Sequence, residues 1–127
     1  MKRLIVSAAI IILFITLCAV HVNRLEHLTG ELIDQLETVR TSVNNGNWSA
    51  AKKSLVAVSA QWEKHGFYLH TTLRHADIDA ILTSTKELEA YLNSREDRAE
   101  SLSVIAKLIN QLELLVEAEQ PSIKNLL

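Results

Sequence analysis

Nineteen consecutive residues, Leu4 to Val22, carry no charged side chain, and only Met1, Lys2 and Arg3 precede them. At about 1.5 Å of rise per residue, a helix over this run covers close to the roughly 30 Å hydrocarbon core of a bilayer. The run predicts a membrane anchor, and the rest of the chain reads as a domain hung from it. Lys2 and Arg3 lie before the run, whereas Arg24 after it is soon offset by Glu26, Glu31 and Asp34. The positive-inside bias then places the amino terminus in the cytoplasm and the domain outside it.

A cleaved secretory signal shares the basic start and the apolar stretch. Signal peptidase needs small residues one and three places before the cut, and a cut after Ala19 puts Leu17 at the outer place. The run also exceeds the roughly 7 to 15 residues of a signal's apolar region. Cys18 follows Ile15, Thr16 and Leu17, without the small residue that precedes a lipidated cysteine. The reading is therefore an uncleaved anchor over residues 1–23, at the cell membrane.

Residues 24–120 have the size of one domain, with aliphatic side chains for a single core. One Pro and three Gly in 127 residues are too few for the turns of a sandwich or barrel, so the fold class is all-α. The one cysteine, Cys18, falls inside the anchor, so no disulfide holds the domain. Beyond the anchor, 11 of the 13 basic residues are interspersed with all 15 acidic ones. Nucleic acid rewards a clustered basic face, and none is present in the sequence.

Apolar positions recur at three- and four-residue steps. Leu25, Leu28, Leu32, Leu36, Val39 and Val43 predict a first helix continuous with the anchor, ending at Asn44, Asn45 and Gly46. Asn47 can cap a second helix striped by Trp48, Ala51, Leu55, Val58, Trp62 and His65. A third carries Leu69, Leu73, Ile78, Ile81, Leu82, Leu88 and Leu92. After Asn93, Ser94 with Asp97 resembles a capping box, opening a fourth striped by Leu102, Ile105, Ile109, Leu112 and Val116. Pro121 is expected to end it, leaving residues 121–127 as a tail packing on the bundle. Four helices with very short connections predict an N-terminal transmembrane helix followed by an antiparallel up-down four-helix bundle.

Several features invite chemistry. Between His65 and Asp79, only His75 and Asp79, four apart, share a helical face suited to a metal, since histidines five apart in a helix diverge by about 140° per step. A metal normally needs four converging ligands, and the bland reading has His75 at the core edge and the aspartates in solvent. Trp48 and Trp62 could line a ligand pocket between helices, although their spacing also suits plain core. Asn47, Trp48 and Ser49 match a glycosylation sequon, but helix capping accounts for Asn47. No nucleophile with a base, no glycine-rich phosphate loop and no cofactor motif is present, so no enzyme and no cofactor are expected. In the tail, Ile123, Leu126 and Leu127 either cover the open end of the bundle or contact a partner.

The anchor, Asn47-Trp48 opening a helix, Trp62, the stretch from His75 through Ala76, Asp77 and Ile78 to Asp79, and the closing Pro121-Ser122-Ile123-Lys124-Asn125-Leu126 together resemble a family. It is a group of short bacterial membrane-anchored proteins known as a domain of unknown function (forty-three sixty-three). The resemblance spans nearly the whole chain and implies a single-pass protein with no assigned activity. Two readings of function follow. One is a structural or interaction module that docks on a membrane protein or on itself; the other is an extracytoplasmic ligand- or metal-sensing bundle signalling through a membrane partner.

Overall fold

Among the described residues five α-helices follow in the order α1 (Lys2–Asn44), α2 (Trp48–Lys64), α3 (Gly66–Thr72), α4 (His75–Ser94) and α5 (Arg98–Leu126). The computed structural model describes the backbone of residues 1–95 and 97–126, with all side chains there except those of Phe67, Thr72 and residues 120–126. Among the described residues there is no strand.

α1 is one uninterrupted helix of 43 residues with two different surfaces. Its first part, Leu4 to Val20, leaves its large apolar side chains more than half exposed, Ile15 excepted. Its second part buries Leu25, Leu28, Leu32, Leu36, Val39 and Val43, the stripe that three- and four-residue spacing predicts. The helix stops where expected. Asn45 stays right-handed, Gly46 takes φ +72, and the Asn47 side chain accepts from the Ala50 backbone N–H at 3.1 Å.

Gly46 is held in this conformation for two reasons. A side chain at φ +72 is strained, and a Cβ there would meet Arg98 Nη2 at 3.2 Å. Gly46→Ala is therefore expected to destabilise the domain by about 1 to 2 kcal/mol, read as a lower urea midpoint at unchanged slope. Gly46→Asn, which tolerates the left-handed region better, should lose less.

Three expectations need correction. The third predicted helix is two, because Leu73 (φ -111, ψ 162) and Arg74 (φ -69, ψ 136) are extended between α3 and α4. Leu69, Leu73 and Ile78 are all buried, and the extended link lets them reach one core where an unbroken helix would point them apart. Ser94 closes α4 instead of capping α5: its hydroxyl meets the Tyr91 carbonyl and Asp97 Oδ2, and Arg95 takes the left-handed turn at φ 60. Finally, α5 continues past Pro121 to Leu126. Proline there deletes one hydrogen bond, to the carbonyl of Glu117, and Glu117 is exposed, so water can take the bond's place. The packing expected of Ile123, Leu126 and Leu127 lies outside the described residues.

Each of α1, α2, α4 and α5 packs on two others: α1 on α2 and α5, α4 on α5 and α2, with α3 bridging the adjoining ends of α2 and α4. Their buried faces share one core. α5 contributes more than its expected stripe, since Val104, Leu108 and Leu115 are buried as well, giving it the wide apolar face of a helix that packs on two neighbours.

Candidate functional site

Two places in the fold bring together groups with chemical potential. The first is the seam between α2 and α4. A cavity of about 280 Å³ opens there, floored by Leu32, Leu36, Leu108 and Leu112, walled by Trp62 and Ile81, and rimmed by Glu63, Lys86 and Glu89. Trp62 is 7% exposed, so the indole is both core and cavity wall. Trp48, fourteen residues away at the start of α2, is half-buried against the core and does not line this cavity. The two tryptophans therefore do not form one pocket, because the length of α2 separates them.

The second place lies where the apolar part of α1 ends. The Tyr68 hydroxyl of α3 hydrogen-bonds His21 Nδ1 and lies 3.3 Å from the His21 carbonyl. The two rings meet edge-on at 5.6 Å between centroids. The other imidazole nitrogen of His21, Nε2, sits 3.6 Å from Glu119 Oε2 of α5. If Nε2 carries the proton, it faces the carboxylate and leaves Nδ1 to accept from the phenol, which is the assignment the network favours. Arg24 covers the Tyr68 ring at 4.5 Å, within cation–π range. Four side chains thus tie α1, α3 and α5 together.

Burial pushes the Tyr68 phenol above its ordinary value, and the Glu119 charge adds to the rise while Arg24 opposes it. A phenol whose folded pKa is raised contributes stability that is complete below its unfolded pKa of about 10 and is lost as pH rises through the folded value. Tyr68→Phe keeps the ring beneath Arg24 but removes the hydroxyl. It should cost about 1 kcal/mol at neutral pH and flatten the alkaline decline in stability, checked by urea titrations of both forms from neutral pH to above pH 10.

The sequence does not announce this network, because Tyr68 stands 47 residues from His21 and Glu119 lies farther still along the chain. One signal is present: His21 is the imidazole inside a predominantly apolar run. The end of an apolar run, where the helix must meet polar partners, is where such a residue belongs.

The expected metal pair is placed differently. His75 and Asp79 are both exposed at the start of α4. The break at Leu73 and Arg74 brings His70 and His75 together, with ring centroids 6.2 Å apart, where an unbroken helix would have sent them apart. Among the described residues no group of three His, Cys, Asp or Glu side chains gathers as a metal would need.

A family model described as Domain of unknown function (DUF4363) matches residues 19–126. No curated protein and no solved structure matches the chain.

Proposed function

The chain belongs to the DUF4363 family, a domain of unknown function, and from that premise we propose that it is a membrane-anchored, non-enzymatic interaction module. The observation that carries the reading is the two-faced α1. Its segment from Leu4 to Val20 exposes ten large apolar side chains by more than half, beyond what a soluble monomer leaves in water, and the same helix then becomes a wall of the core. Among the described residues one helix is long and apolar enough to cross a membrane, with a mean hydropathy of 2.7 over its apolar window. In this reading α1 spans the bilayer with Lys2 and Arg3 in the cytoplasm. The domain stands outside as an antiparallel up-down bundle of α1, α2, α4 and α5. The partner is a membrane protein or a second copy of the chain.

The test is capture of partners from native membranes by the full-length, detergent-solubilised chain, beside a form whose residues 1–22 are replaced by an unrelated span. A partner kept by both forms contacts the domain; one kept by the native form alone contacts the anchor. A chain that brings down no partner and runs as a monomer ends the interaction reading.

The cavity beside Trp62 favours a second reading, an extracytoplasmic ligand sensor. Its apolar floor and charged rim are the mixture that small-molecule sites use. That reading predicts a small molecule that co-purifies with the native chain and is absent from Trp62→Ala.

A further inference from the structure

All five histidines of the chain, at positions 21, 27, 65, 70 and 75, fall on segments at one end of the domain: the start of the buried part of α1, the end of α2, α3, and the start of α4. This is the end where the exposed apolar segment of α1 meets the domain. Between α1 and α2 at this level lies an open cavity of about 270 Å³, lined by Arg24, His27, Leu28, Glu31, Gln61, Lys64 and His65. We propose that this cavity binds the phosphodiester of an anionic phospholipid headgroup. The proposal rests on the reading of α1 as a membrane span.

Height supports it first. Arg24 and His27 follow Val22 by two and five residues, about 3 and 8 Å along the helix axis. The polar headgroup layer is roughly 5 to 8 Å thick on each side of the hydrocarbon core. α1 is unbroken between the apolar run and these residues, so nothing can turn the cavity away from the layer it stands in.

The donors are also available. The Lys64 and His65 side chains make no hydrogen bond or ion pair among the described residues. Arg24 lies flat over Tyr68, which holds the guanidinium in place while leaving its N–H groups free of any carboxylate among the described residues. An imidazole offers one N–H even when neutral, so His65 can donate without being charged, while His27 faces Glu31.

Charge then selects the ligand. Glu31 is the acid in the cavity, and it is engaged: Gln61 Nε2 donates to its Oε2 at 2.8 Å, and His27 Nε2 stands 3.3 Å from its Oε1. Arg24, Lys64 and Glu31 leave one net positive charge, which matches the single negative charge of a phosphodiester. Arginine and lysine are the groups that hold phosphate oxygens, the first as a fork and the second as a point charge.

The test is native mass spectrometry of the full-length chain released from nanodiscs containing phosphatidylcholine and phosphatidylglycerol, counting the lipid that stays bound. The native chain is expected to keep phosphatidylglycerol in preference to phosphatidylcholine. Arg24→Gln with Lys64→Gln should lower that retention on the order of thirtyfold, given what each cation contributes at a lipid surface. Lys64→Gln alone, which leaves Arg24 packed on Tyr68, should lower it about fivefold. The pair Lys53→Gln with Arg95→Gln makes the same charge change away from the cavity and should leave retention unchanged. Equal retention of both lipids by the native chain overturns the proposal, as does equal loss in the Lys53 and Arg95 control. Displacement of the lipid by inorganic phosphate overturns the lipid assignment. A chain that alkaline carbonate strips from the bilayer overturns the span itself, an outcome distinct from an embedded chain that shows no lipid preference.

Discussion

Ile105→Ala is expected to lower the unfolding free energy by about 3 kcal/mol, within the range for large-to-small changes at sites that cannot collapse. Ile105 is 0% exposed on α5, the helix that packs on both α1 and α4, so the lost methylenes leave a void no single helix can close. A domain of this size has roughly 5 to 15 kcal/mol to lose. The midpoint of urea unfolding should therefore fall well clear of experimental error. Val56→Ala supplies the contrast, since Val56 is 68% exposed and should change stability by no more than about 0.5 kcal/mol. Equal effects at the two positions would mean that α5 is not seated as described.

The second large effect concerns the anchor. Ile11→Arg with Phe14→Arg is expected to abolish resistance of the full-length chain to alkaline extraction from membranes. Twelve strongly apolar residues lie between Leu4 and Val22. At about 0.3 to 0.6 kcal/mol each, they favour insertion by roughly 5 kcal/mol. Two arginines near the middle of the span cost about 6 kcal/mol and remove two of the favourable residues, which reverses the sign. Both native side chains are more than half exposed and belong to no part of the core, so the far-ultraviolet signature and urea midpoint of the domain should survive. Retention of the double variant in the membrane after carbonate treatment would show that α1 does not span.

Much of the architecture was legible because it depends on local rules. The stripe from Leu25 to Val43 is buried as its spacing predicts, and the turn at Asn45 and Gly46 with its Asn47 cap follows from backbone preferences of those residue types. The extended link at Leu73 and Arg74 was not legible. No Pro or Gly marks it, and helical spacing on either side, Leu69 to Leu73 before it and Ile78 to Ile81 after it, hides the break between them. Pro121 misled in the opposite direction, since a proline close to a helix end and opposite an exposed carbonyl costs too little to stop the helix. For the candidate sites, Trp62 walls a cavity that Trp48 does not reach, because a shared stripe says nothing about distance along the axis.

What the sequence determined by itself is therefore the long apolar N-terminal helix, the all-helical class and most of the buried faces: each follows from hydropathy and its period, which are properties of neighbouring residues. Tertiary structure alone decided that His21, Arg24, Tyr68 and Glu119 meet, that His70 turns toward His75, and that Arg24 and His27 share a cavity with Lys64 and His65. These groups sit on different helices, and their meeting depends on how those helices pack and where the chain breaks. No local pattern records that, because packing is settled by the summed fit of whole faces.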